Sequence, residues 1–334
     1  MGFNNPAMPW NELEAKLSGR RPVDPAPEQA RRADGREAGS PSWNAGGDGP
    51  AWSRKRQPYV AHPDLGAPEG RARVPYAELH CHSNFSFLDG ASHPEELVEE
   101  AVRLGLEALA LTDHHGLYGV VRFAEAARAV GLPTVFGAEV SLLDGPERFQ
   151  RMARSEDDTQ MQITLGATPP LPQPDPHGDH LVLLADGPQG YARLSRALSL
   201  GHLAGEKGHP RFSLADLATA GAGHWWVLTG CRKGTVPHAL VAEGPRAAQR
   251  ELHLLIDAFG RDRVVVELWD HGDPMDSHRN DALAELAVRE HLQVVATNNV
   301  HYASPARRQL ASALAAVRAR RSLDELDPWL PAAG

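Results

Sequence analysis

From Pro75 onward, short runs of β-branched and aliphatic residues alternate with helical stretches, and this alternation limits the possible folds more than any other feature. Seven runs read as strands: Ala77–His82, Ala108–Thr112, Thr134–Ser141, Leu181–Ala185, Trp225–Thr229, Val264–Trp269 and Gln293–Thr297. Six stretches read as helices: Pro94–Leu104, Gly119–Val130, Gln189–Leu203, Pro245–Phe259, Met275–Glu290 and Pro305–Arg320. Several carry apolar residues three and four apart, as in Leu97, Ala101 and Leu104. Strand–helix alternation predicts a parallel sheet covered by helices. Continuous apolar runs such as Ala108–Leu111 suit strands buried on both faces. Seven units suit an open doubly wound sheet or a closed barrel, and the residues at the strand ends favour the barrel.

The first 74 residues differ. They hold 10 Pro and 9 Gly and lack apolar periodicity, which predicts a disordered extension with at most a short amphipathic helix near Trp10–Leu17. Trp43, Trp52 and Tyr59 there are either isolated aromatics or a docking segment for another protein. A second insert, 144–179, contains PPLPQPDPHGD, which should be extended and solvated. No stretch approaches the roughly 18 apolar residues of a membrane span, and the N-terminus has no signal-peptide core. Two cysteines cannot form a disulfide framework, so a reduced cytoplasm is the expected compartment. The net charge of −9 excludes a chain that grips nucleic acid by bulk positive charge alone.

The 17 histidines become informative at the strand ends. The first strand ends in His80-Cys81-His82. Alternate residues on a strand share a face, so both imidazoles point one way and Cys81 the other. The second strand runs into Asp113-His114-His115, the third carries Glu139, the fifth ends before Cys231, the sixth carries Glu267, and the seventh runs into Asn298-Asn299-Val300-His301. In an α/β barrel the carboxyl ends of the strands open onto one face. Metal-ligand types at five or more of these ends predict a metal centre. Carboxylates with imidazoles suit Zn, Mn or Fe, and a thiolate favours Zn. The number of candidate ligands predicts two or three divalent ions, a set suited to phosphoester hydrolysis.

The blocks ELHCHSNFSFLDG, ALTDHHGLYG, GAEV, HLVLLA, TGCRKG and TNNVHYA resemble the polymerase and histidinol phosphatase (PHP) superfamily. Within it they look like the N-terminal PHP domain of bacterial C-family DNA polymerases. The head FNNPAMPWNELEAKLSGR and the close RRSLDELDPWLPAAG are similar to the error-prone, damage-tolerant branch. The resemblance covers about residues 75–325. It implies an α/β fold, a distorted (β/α)7 barrel, with residues 326–334 beginning a polymerase region not contained in the chain. It implies His80, His82, Asp89, His114, Glu139, His180, Cys231 and His301 as metal ligands, with His80, His82, His114, Glu139 and His301 central to catalysis. The family's last pair is Asp-x-His, whereas here it is Asn299 and His301. An amide oxygen coordinates without bringing charge and cannot act as a general base. His180 lies at the start of its run rather than the end.

Asp113 and His115 read as residues that orient ligands, and Arg232 and Lys233 as either phosphate contacts or a solvated basic pair. Arg307, Arg308, Arg318, Arg320 and Arg321 on the last helix form either a solvated face or a contact with DNA or the following region. Three functions compete. One is the PHP domain of an error-prone polymerase in translesion synthesis, with 3′–5′ exonuclease activity. The others are a structural scaffold in the same polymerase and a free-standing phosphatase of the histidinol phosphate type. The resemblance further implies a DNA primer-template, a sliding clamp and mutagenesis accessory proteins as partners, and Mg for the polymerase core.

Overall fold

In the computed structural model, residues 59–61, 74–142 and 179–325 are described. The expected N-terminal extension, apart from Tyr59–Ala61 and Val74, lies outside them. So do the insert up to residue 178 and the final segment 326–334. Seven strands are present among the described residues: β1 (Ala77–Glu78), β2 (Ala108–Leu111), β3 (Thr134–Leu142), β4 (Asp179–Ala185), β5 (Trp225–Leu228), β6 (Val264–Leu268) and β7 (Gln293–Ala296). They pair in chain order in one sheet. All seven expected runs form strands, with β1 cut short after Glu78.

The sheet curls on itself. Leu79, Ala110, Val135, Val182, Leu184, Leu228, Val265 and Val295 come from every strand or its immediate end and pack as one cluster. Only a sheet wrapped into a barrel brings its first and last strands to a shared interior. Just beyond the ends of β1 and β7 a parallel bridge joins Cys81 to Val300, with His82 N–H donating to Val300 O at 2.7 Å and Val300 N–H to His80 O at 2.9 Å.

The expectation of an all-parallel sheet is corrected. β1–β2–β3 and β5–β6–β7 pair parallel, but β4 is antiparallel to both β3 and β5. A reversed strand starts where its neighbours end. Ser141 near the end of β3 therefore lies opposite His180 near the start of β4. This explains why His180 begins its apolar run.

Eight α-helices cover the sheet among the described residues: α1 (Pro94–Leu104), α2 (Val120–Val130), α3 (Gly187–Ala204), α4 (Leu214–Gly221), α5 (Thr235–Glu243), α6 (Pro245–Phe259), α7 (Asp276–Arg289) and α8 (Arg308–Ala319). α1 starts as the sequence implies, with Pro94 in its first turn and Glu96 accepting from His93 N–H at 3.0 Å. α4 and α5 were not expected. Two large apolar groups pack between sheet and helices. One is built on β3–β6 around Trp225, whose indole N–H donates to Gly190 O at 2.9 Å, and the other on β2, α1 and α2 around Phe123. No helix among the described residues is long and apolar enough to cross a membrane.

Candidate metal centre

The period of two along each strand stacks the site on the barrel interior. On β3, Val135 lies in the interior cluster and Glu139 four residues on is in the site; on β4, Val182 is interior and His180 is in the site. On β6, Val265 leads to Glu267. At the loop after β1, His80 and His82 lie with ring centroids 5.1 Å apart, while Cys81 is buried in the apolar group with Leu97 and Val98. The alternation read from His80-Cys81-His82 therefore holds.

Glu139 is the hub. Its Oε2 lies 3.5 Å from His80 Nε2, 3.1 Å from His82 Nε2 and 3.4 Å from His114 Nδ1, and its Oε1 lies 2.6 Å from His180 Nδ1. Asp89 is a second focus, with Oδ2 3.3 Å from both His114 Nε2 and His301 Nε2. Three groups have ligand atoms within 4.8 Å of one another: His80–His82–Glu139, His114–Glu139–His180 and His82–Asp89–His301. His80 Nε2, His82 Nε2, His114 Nδ1 and Asp89 Oδ2 are buried without hydrogen-bond partners. Such atoms are costly to bury unless something satisfies them. Imidazole nitrogens and carboxylate oxygens aimed at common points fit divalent ions.

The surroundings fix which nitrogen faces inward. His80 Nδ1 contacts Glu267 Oε1 at 2.7 Å, and Glu267 also accepts from Thr297 Oγ1 at 2.5 Å. A carboxylate accepting from Nδ1–H fixes the proton on that nitrogen and leaves Nε2 as the inward-facing ligand atom. His301 Nδ1 donates to Asn299 O at 2.7 Å with the same effect. His82 Nδ1 lies 3.3 Å from Ser86 Oγ, whose own hydrogen goes to Asp113 Oδ1 at 2.8 Å.

Asp113 points away from the ion groups. It accepts from Ser83 N–H at 2.7 Å and Ser83 Oγ–H at 2.8 Å besides Ser86. It therefore fixes the loop that carries His82 and Asp89. His115 has φ +55° and its Nε2 accepts from Ser141 N–H at 3.1 Å, outside the three groups. Cys231 hydrogen-bonds His180 but joins none of those groups. Asn299 sits in the left-handed region, φ +43°, with Oδ1 buried and without a hydrogen-bond partner. Lys233 and Arg232 are half-buried at the rim. The Lys233 ammonium is pushed down to about 8 by burial and by nearby Arg318, against the pull of Asp89 and Glu139.

Three residues were undervalued from sequence. Glu267 reads from sequence as a possible site carboxylate that the family resemblance does not require, and an acid in the buried run VVVEL is itself a signal. Glu78 accepts from His80 N–H at 2.9 Å and Asn298 N–H at 2.9 Å, and burial lifts its carboxyl to about 7. Arg318 of α8 donates to Asp89 Oδ1 at 2.8 Å.

Burial and neighbours set the charge states. Burial opposes charge on His80, yet Glu267 and Glu139 hold it well above an ordinary imidazole. Burial likewise opposes charge on His180, and Glu139 again outweighs it. Burial and adjacent His114 push His82 down to about 3. Glu139 resists burial because His180, His114 and His80 surround it, and it stays well below the carboxylate range. The raised histidines stabilise the metal-free fold fully below 6.5, and that contribution is lost as pH rises through their folded values; depressed Glu139 contributes above 4.5 and loses its contribution as pH falls through its folded value. Ion loading at pH 7 must displace protons from His80 and His180. Zinc titrations in two buffers of different ionisation enthalpy should give different apparent heats; equal heats would contradict this charge assignment.

With the geometry in place, the comparisons decide the family. A family model described as PHP domain matches residues 78–271. The chain belongs to the PHP domain family. This PHP chain is 49% identical over 354 residues to an error-prone DNA polymerase of Nocardia farcinica, covering all of the chain and 30% of that protein. It is 50% identical over 339 residues to an error-prone DNA polymerase of Mycobacterium bovis, covering all of the chain and 27% of that protein. The PHP chain thus spans less than a third of the length of these relatives. A solved structure of a candidate metal-dependent phosphoesterase from Bifidobacterium adolescentis matches with TM-score 0.46 and 19% identity, over 70% of this chain and 90% of that one.

Proposed function

We propose that the chain is the PHP region of an error-prone DNA polymerase and that its site hydrolyses phosphoesters with divalent ions, acting on the 3′ terminus of DNA. The convergence of buried, unsatisfied nitrogens of His80, His82 and His114 on Glu139, beside the unsatisfied Asp89 Oδ2, carries this reading. Residues His80, His82, Asp89, His114, Glu139, His180 and His301 would hold the ions, with Cys231 and Asn299 at the edge of the set. Zinc is the first choice, with manganese or iron as alternatives. Bound ions would supply Lewis acidity toward phosphoryl oxygens. Glu267, the Asn299 carbonyl and Ser86 hold imidazoles in the ligating orientation, and Arg232 and Lys233 would meet phosphate charge. We assign 75–325 to the PHP unit and 326–334 to the start of a following polymerase region. The setting is cytoplasmic translesion synthesis in the DNA-damage (SOS) response, with primer-template, sliding clamp and mutagenesis accessory proteins as partners and Mg in the polymerase core.

A second reading is favoured by Asn299, an amide at the site edge. In that reading the domain keeps its ions but serves as a scaffold. A 3′-exonuclease assay with zinc or manganese separates the two. The hydrolase reading expects activity in the wild-type chain that His114→Ala abolishes. Bound metal without activity, with activity appearing in Asn299→Asp, would establish the scaffold. Metal analysis of the purified chain finding under about 0.2 ions would defeat both, because both readings give the site a resident ion.

A further inference from the structure

The three ligand groups have only two carboxylates between them. Glu139 serves two of the groups, and Asp89 alone serves the third, with His82 and His301. Asp89 is also claimed by a protein cation. Arg318 Nη1 donates to its Oδ1 at 2.8 Å, while Oδ2 faces His114 and His301. A guanidinium stays charged at every accessible pH and is a planar partner suited to carboxylate. Its delivery is built into the fold. α8 brings Arg318 across 229 residues of sequence to Asp89, and the chain just before α8 is fixed by an ion pair between Arg307 and Glu96 of α1. Asn299, beside His301, contributes an amide and no charge. The one carboxylate of the Asp89 corner is therefore already paired with a permanent cation, whereas Glu139 faces only imidazoles, which can give up their protons to an entering ion. The Lys233 ammonium also feels the charge of Asp89.

We propose that the Arg318 guanidinium occupies, as a permanent cation, the role of a third ion at the Asp89 corner, so that this chain loads two divalent ions, both on Glu139. The inference rests on the reading of the site as a metal centre. An ion entering the third corner would meet a like charge one carboxylate away, and in a partly dry site one unit of charge changes affinity by about tenfold or more.

The test is zinc and manganese stoichiometry, by equilibrium dialysis with elemental analysis, on the full 334-residue chain after chelation. The wild-type chain and Arg318→Lys should bind two ions. Arg318→Gln should bind a third, at least about tenfold tighter than any third ion in the wild type, because Asp89 is released and a repelling charge removed. Asn299→Asp leaves Arg318 untouched and adds charge to the same corner, so it should also gain third-ion affinity. A gain in either folded variant supports the proposal. Three ions of matched affinity in the wild type, an ion lost rather than gained in Arg318→Gln, or no gain in any folded variant would overturn it. In each of those cases the metal reading stands. Absence of ions from every protein would instead remove the metal reading and this inference together.

Discussion

Glu139→Gln is expected to empty the site. Glu139 faces His80, His82 and His114 through one oxygen and His180 through the other, and it is 1% exposed. The amide keeps the shape and removes the charge. Two of the three ligand groups lose their only carboxylate. Breaking a buried charge set by removing one partner costs about 3–5 kcal/mol, which corresponds to roughly two to three and a half powers of ten in affinity. The metal-free fold should suffer as well, because His180 holds its proton chiefly against Glu139, and His80 holds its own against Glu267 and Glu139. Elemental analysis after dialysis and a thermal melt of the chelated protein check both halves. A variant with wild-type ion content and melting temperature would show that Glu139 is not the hub.

Asp113→Ala should lower stability by about 3 kcal/mol and weaken metal binding too, although its carboxylate aims at no ion group. Its buried carboxylate accepts from Ser83 N–H, Ser83 Oγ–H and Ser86 Oγ–H, and hydrogen bonds to a charged group are worth roughly 1.5–3 kcal/mol each before the hydroxyls find new partners. Ser86 also accepts from His114 N–H at 3.0 Å and lies against His82 Nδ1. Freed from Asp113, the Ser86 hydroxyl can turn its proton toward His82 and disturb the ring's orientation. Loss of such an outer partner typically costs 10–100-fold in metal affinity. Urea unfolding and zinc titration of Asp113→Ala and Asp113→Asn measure the two effects. The asparagine variant should suffer less, because its Oδ1 can still accept from Ser83 N–H. Unfolding free energy within about 0.5 kcal/mol of wild type would place Asp113 among ordinary surface residues.

How far the sequence foretold this arrangement depends on the kind of signal involved. Runs such as Val264–Val266 and Leu181–Leu184 announce strands because strands buried on both faces need uninterrupted apolar residues. His80 and His82 are legible as a pair because spacing of two fixes a shared face. The direction of β4 is not legible. An apolar run has no polarity of its own, and the connection that reverses it passes through the segment after Leu142. The helices Leu214–Gly221 and Thr235–Glu243 are short, and their Gly-flanked sequences carry no long apolar period. The contacts of Glu267 with His80 and of Arg318 with Asp89 join residues 187 and 229 positions apart. Only the curled sheet and its covering helices bring such pairs together, so the residues that tune the site are harder to see than those that form it.

The reversal of β4 also determines where this protein can tolerate change. Leu142 at the end of β3 and Asp179 at the start of β4 are ladder partners, so the segment between them leaves and re-enters the sheet at one point beside His180. Closing a longer loop costs only about 0.6 kcal/mol for each doubling of its length. Residues can therefore be added or removed there without shifting the register of either strand. In a fold where most connections are tied to helices on the barrel wall, this connection is one whose length can change while the paired ends of β3 and β4 stay fixed.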